Sequence, residues 1–135
     1  MANYLLDSNA FFWAKRFPNR LKREALAEIQ KAENQFFVSA AAVWELAIKA
    51  AKGKLEEFAR MMDEGPDALQ DGLAQSRFTL LPIQLNHISV MYRLPRHHRD
   101  PFDRLMIAQA ISEGLTIVTS DSVFARYNGL HVLAA

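Results

Sequence analysis

The sequence predicts an α/β fold with a mainly parallel sheet, and three observations predict it. Short apolar runs recur at 4–6, 35–38, 78–81, 115–119 and 131–133. Segments with apolar residues at helical spacing lie between them. No repeat, low-complexity tract or Ser/Gly linker breaks the alternation, so the 135 residues read as a single domain spanning 1–135. Alternation of this kind is the mark of parallel strands, because each crossover must carry the chain back to the same edge of the sheet.

Each element has its own local reason. Tyr4-Leu5-Leu6 is a buried strand ending at Asp7. Leu21, Ala25, Leu26 and Ile29 fall at helical spacing among Lys22, Arg23, Glu24 and Glu28. Gln35-Phe36-Phe37-Val38 is the second strand, and Ser39 after it is a good N-cap for a helix running to about Ala51, which Gly53 stops. Residues 55–62, 66–76 and 84–93 read as further helices, the second interrupted by Gly72. Phe78 to Leu81 is a strand closed by Pro82. Asp100-Pro101 opens the next helix, with Asp at the N-cap and Pro at N1. Leu105, Met106, Ile107 and Ile111 carry that helix to Gly114. Leu115 to Thr119 is a β-branched strand, and His131-Val132-Leu133 forms the last, at an edge.

Composition narrows the chemistry. The absence of cysteine excludes disulfides, thiolate zinc sites, iron–sulfur clusters and a thiol nucleophile, and it fits a cytoplasmic protein. No apolar run approaches the roughly 18 residues of a membrane span, and the N-terminus has no basic, then apolar, leader pattern. Neither membrane nor export is expected. The net charge of +1 produces no strong field. Its distribution is uneven, however, with Arg93, Arg96, His97, His98 and Arg99 crowded together. Such a cluster either meets phosphate or lies in a solvated loop.

Acidic residues stand where an open parallel sheet binds its ligands, outside the carboxyl ends of the strands. Asp7 directly follows the first strand, and Asp121 closely follows the fourth. Glu45 lies about two turns into the helix after the second strand, and Asp103 lies in the first turn of the helix opened by Asp100. If these ends converge, like charges must be offset by protons or a cation. Mg²⁺ or Mn²⁺ would suit such oxygen donors and could activate water against a phosphodiester. Structural roles compete. Asp7, Asp100, Asp103 and Asp121 can each cap a helix or complement its dipole, and Glu45 can pair with Lys49.

The same residues carry a family resemblance. LLDSNAFFW at 5–13, VSAAAVWELAIKAAKGKL at 38–55 and HRDPFDRLMIAQAISEGLTIVTSD at 98–121 resemble the motifs of PIN-domain ribonucleases, specifically VapC-type toxins of bacterial toxin–antitoxin pairs. The resemblance covers most of the chain and implies a three-layer α/β/α fold and a Mg²⁺- or Mn²⁺-dependent endoribonuclease. It implies Asp7 and Asp103 as the main metal ligands, with Glu45 and Asp121 completing the pocket directly or through water. It also implies a homodimer, a cognate antitoxin that silences the toxin, and operator DNA reached only indirectly through that antitoxin. Ser8 stands where this subgroup often has Thr, Asn9 where it commonly has His, and Ser122 where an acid is frequent. Ser8, Asn9 and Asp100 are supporting candidates.

Arg99, Arg104 and Lys49 are candidates for substrate phosphate, with neutralisation of the acids as their structural alternative. Trp13 and Trp44 read as core or dimer-interface residues. Phe11, Phe12 and Phe17 are candidates to receive an antitoxin segment. The four histidines lack zinc-ligand spacing. A phosphatase with a second Asp two residues after the first is excluded by Asn9. Two other readings remain: a nuclease acting on DNA with the same acids, and a catalytically silent partner-binding module.

Overall fold

A computed structural model describes Met1–Ala135. Five parallel strands form one sheet in the order β3-β2-β1-β4-β5. They are β1 (Asn3–Leu6), β2 (Gln35–Ser39), β3 (Phe78–Leu81), β4 (Thr116–Thr119) and β5 (His131–Ala134). Seven α-helices flank the sheet in a three-layer α/β/α arrangement. They are α1 (Ser8–Arg16), α2 (Arg23–Ile29), α3 (Ala40–Ala51), α4 (Glu56–Glu64), α5 (Pro66–Gln75), α6 (Leu85–Arg93) and α7 (Pro101–Glu113). Every strand and helix expected from the sequence is present, and β5 lies at an edge. The sheet is parallel throughout rather than mainly so. None of the helices is long and apolar enough to cross a membrane.

The topology decides where chemistry can gather. From β1 the chain steps outward to β2 and β3, then crosses back to β4 on the other side of β1. The order therefore reverses between β1 and β4, and the crevice of such a sheet opens there, beyond the strand carboxyl ends. Helices α1 and α3 begin at that edge because they leave β1 and β2. Helix α7 returns to the start of β4, so its N-terminus lies at the same edge.

The central strands are buried on both faces, with Leu5, Leu6, Val38 and Ile117 fully enclosed. Helix α7 departs from a one-sided amphipathic helix, because Leu105 through Ala110 are all buried. Helices α3 and α6 pack against it, so its outer surface is covered as well. Gly72 does not break α5. A Cβ there would lie 2.4 Å from Met61 Cε, so the missing side chain lets α4 and α5 approach.

A buried polar link sets the acid-bearing helices against each other. Ser39 caps α3 by accepting the Ala41 N–H at 2.9 Å and donates its own hydroxyl hydrogen to Gln109 Oε1 on α7. Gln109 Nε2 donates to the Pro82 carbonyl at 3.3 Å. Gln109→Leu keeps most of the volume but strands both partners in the core. It should lower unfolding stability by about 2 kcal/mol, read as a lower urea midpoint at unchanged slope.

Candidate active site

Asp7, Glu45, Asp103 and Asp121 are brought to one crevice at the switch point. Asp7 is 8% exposed, and its N–H donates to the Val118 carbonyl at 3.1 Å, fixing it between β1 and β4. Its carboxylate also caps α1, accepting from the Ala10 N–H at 2.9 Å. Capping and participation in the site are thus compatible roles of one side chain. Burial raises the Asp7 pKa, and the charges of Glu45 and Asp121 add to the rise against the Thr119 hydroxyl and Ala10 N–H.

Glu45 is held by Ser8, whose buried hydroxyl donates to Oε1. No ion pair with Lys49 forms, so that structural explanation of Glu45 does not hold. Asp103 is pushed up to about 7, first by burial and then by the nearby charges of Asp100, Glu45 and Asp7, with His98 opposing them. These couplings connect all the proposed acids. Asp103 meets neither a Lys nor an Arg as an ion-pair partner.

Asp121 caps the 3₁₀ turn at Ser122–Arg126, accepting from the Val123 N–H at 2.9 Å. Burial pushes its pKa upward, but the hydrogen bonds from His98 and Val123 outweigh that and hold it below the usual carboxylate range. His98 Nε2 lies 2.8 Å from Asp121 Oδ2, while Nδ1 lies 2.9 Å from the Tyr127 hydroxyl. A proton on Nε2 satisfies both contacts, with Nδ1 accepting from Tyr127.

His98, Asp103 and Asp121 form a cluster whose ligand-type atoms lie within 4.8 Å of one another. It differs from the Asp7–Asp103 pair expected as the main ligands, although Asp7 is electrostatically linked to both Asp103 and Asp121. The crowded, partly buried carboxylates suit a hard divalent cation, which would offset the burial and the neighbouring charges that raise Asp103. With Nε2–H donating to Asp121 and Nδ1 accepting from Tyr127, His98 orients the Asp121 carboxylate and has no free nitrogen lone pair to offer a cation.

The supporting candidates separate. Asp100 caps α7, accepting from the N–H groups of Phe102 at 2.8 Å and Asp103 at 3.3 Å. It thereby orients the turn that carries Asp103. Asn9 is exposed on α1, and its side chain makes no hydrogen bond to the acids. Arg104 is spent on structure. Its guanidinium donates to the carbonyls of Met91 at 2.8 Å, Pro95 at 2.9 Å and, more weakly, Leu94 at 3.4 Å. These bonds clamp the loop before α7. Arg99 is exposed and lines a cavity beside His98. Lys49 is half-buried on α3 without an ion-pair partner.

Two site residues escape a reading of the sequence. His98 belongs to a cluster that reads as basic, yet it joins the acids; its place just before the Asp100 cap was the available signal. Thr119 ends β4, and its hydroxyl accepts from the Asp121 N–H at 3.1 Å and supports Asp7. Trp44 is 57% exposed at the rim, its ring edge-on to Phe102 at 4.8 Å, so a core role is excluded. Trp13 packs, partly buried, against the core.

The family model of the PIN domain matches residues 4–130. The chain belongs to the PIN domain family. Solved structures extend the likeness to the whole fold. This PIN domain is similar to a chain of VapBC2 from Rickettsia felis, solved bound to a promoter DNA fragment, at TM-score 0.69 and 20% identity over 98% of each chain. VapBC-1 from nontypeable Haemophilus influenzae matches at TM-score 0.66 and 17% identity over 98% of this chain and 97% of the other. A toxin–antitoxin complex from Klebsiella pneumoniae matches at TM-score 0.60 and 21% identity, covering 96% and 95%. A search of curated proteins finds no match. At such identities the structural likeness establishes the fold of the PIN domain, and the chemistry must come from its own side chains.

Proposed function

We propose that this PIN domain is a cytoplasmic, Mg²⁺- or Mn²⁺-dependent endoribonuclease of the VapC toxin type, silenced by a cognate antitoxin. One observation carries the reading: carboxylates from four separate chain segments converge without a Lys or Arg partner, and burial together with the neighbouring charges leaves Asp103 at about 7. Structural ion pairs bring opposite charges together, whereas this arrangement favours a cation.

Asp7, Asp103 and Asp121 would hold the metal, with Glu45 bound directly or through water. When bound, the metal would supply an acidified water and charge neutralisation at the phosphate. His98 and the Val123 N–H keep Asp121 ionised and aimed, and Asp100 fixes the turn that presents Asp103. Ser8 occupies Glu45 Oε1 and leaves Oε2 free to orient water or take a proton from it.

The antitoxin reading draws on the Klebsiella toxin–antitoxin complex and on an apolar groove of about 500 Å³ lined by Phe11, Phe12 and Phe17 among α1, α3, α4 and α5. Such a groove fits the apolar face of a partner helix. Leu85, Ile88 and Tyr92 form an exposed stripe on α6 that supports a homodimer. Operator DNA would be reached through the antitoxin, in keeping with the DNA-bound Rickettsia complex.

The deciding experiment incubates the purified chain, free of partner, with structured RNAs and DNAs across a Mg²⁺ and Mn²⁺ titration. Internal RNA cleavage that begins with metal and stops in EDTA is expected. Cleavage of DNA alone would replace RNA as substrate. Binding of an antitoxin without cleavage of either polymer would establish a silent binding module.

A further inference from the structure

We propose that the basic cavity over the turn joining α6 to α7 is a subsite for an RNA phosphate neighbouring the one cleaved. The inference rests on the nuclease reading and extends it to how the enzyme holds its substrate. The cavity is about 490 Å³ and is lined by Met91, Arg96, His98, Arg99, Pro101 and Arg104. Three arginines therefore line one space, and none forms a salt bridge with a carboxylate. Arg104 uses its donors on the Met91, Leu94 and Pro95 carbonyls, fixing the cavity wall while retaining its charge. Arg96 and Arg99 are exposed and have donors to offer. Their planar forks match phosphate oxygens, and an anion relieves their mutual repulsion.

His98 locates the subsite relative to the reaction. It lines the basic cavity and also contacts Asp121 through Nε2. The cation-binding acids and the anion-binding cavity therefore share a wall. An acidic centre alone repels a polyanion, so a neighbouring positive field is needed to draw the strand in. A carboxylate-rich protein segment could satisfy the same charges. The shared wall favours RNA, because an occupant of the cavity adjoins the bond being cleaved. Arg96 and Arg99 are thus substrate-positioning groups, and the preferred substrate carries a phosphate beyond the scissile one.

The test measures binding of a labelled single-stranded RNA dodecamer by anisotropy in EDTA, where cleavage cannot interfere, over a series of salt concentrations. Arg96→Ala/Arg99→Ala should weaken binding about tenfold and reduce the salt slope by about 0.7, the single-strand value for one lost phosphate contact. Arg93→Ala, a nearby charge outside the cavity, should leave the slope unchanged; circular dichroism checks the fold of both proteins. In the metal-loaded wild type, methylphosphonate substitution beside the cleaved bond should raise KM more than it lowers kcat. Unchanged affinity and slope in the double variant would overturn the subsite. Loss of binding to an acidic antitoxin peptide with RNA binding intact would overturn it in favour of a protein contact. Arginine-dependent RNA binding by a wild type that cleaves no RNA would instead defeat the nuclease reading and leave the phosphate site standing.

Discussion

Asp103→Asn is expected to reduce metal-dependent cleavage by at least about 100-fold while raising the melting temperature of the metal-free protein. Both effects follow from the same crowding. Burial and the charges of Asp100, Glu45 and Asp7 push Asp103 up to about 7. Asparagine keeps the shape, removes the ionisable group and no longer supplies an anionic ligand. Because the folded pKa lies above the ordinary value of 3.8, the contribution of Asp103 to stability is fully present below that pH. It is lost as pH rises through about 7. Wild-type stability in EDTA should therefore decline from pH 5 to pH 8, and this contribution should be missing from the variant. Water reaching the partly exposed carboxylate screens the effect, leaving about 1–2 kcal/mol at pH 8. Melting curves at both pH values measure it. Added Mn²⁺ should stabilise the wild type substantially more than the variant, because a ligand that prefers the folded state raises its stability. Equal metal-induced shifts would remove Asp103 from the ligand set.

Much of this site was legible because its parts obey local rules. An apolar run ending in Asp7, a Ser39 cap and the Asp100-Pro101 start identify the ends of elements, and a parallel sheet gathers such ends at one edge. Helix α7 was legible in extent but not in environment. Its sequence cannot reveal that α3 and α6 cover its outer side and bury it all round from Leu105 to Ala110. The partnership of His98 with Asp121 spans 23 residues and depends on the turn that places Tyr127 and Phe124 around the imidazole. Composition shows only a histidine among arginines. Arg104 was misleading for a related reason: its nearest acids in sequence are Asp100 and Asp103, but its guanidinium turns to loop carbonyls instead. Glu45 gave the opposite lesson. Its apolar neighbours marked it as a charge with a purpose, and the missing Lys49 pair supports that reading.

Asp7→Asn and Asp7→Ala should separate catalysis from folding at the switch point. Both variants are expected to lose metal-dependent cleavage, because neither presents an anionic oxygen between β1 and β4. Their stabilities should differ. Asp7 accepts the Ala10 N–H at the start of α1, a bond that the asparagine side-chain oxygen can also accept. Alanine leaves that N–H without its cap, at a cost of about 1 kcal/mol. Burial and the charges of Glu45 and Asp121 also make ionised Asp7 unfavourable, a penalty that both substitutions remove. In EDTA near pH 8, Asp7→Asn should therefore be more stable than the wild type, and Asp7→Ala less stable than Asp7→Asn by about the value of the cap. Urea unfolding of the three proteins gives the order. If Asn and Ala are equally stable, capping does not explain the position. If Asp7→Asn still cleaves RNA at the wild-type rate, the carboxylate serves α1 alone and the metal is held elsewhere in the crevice.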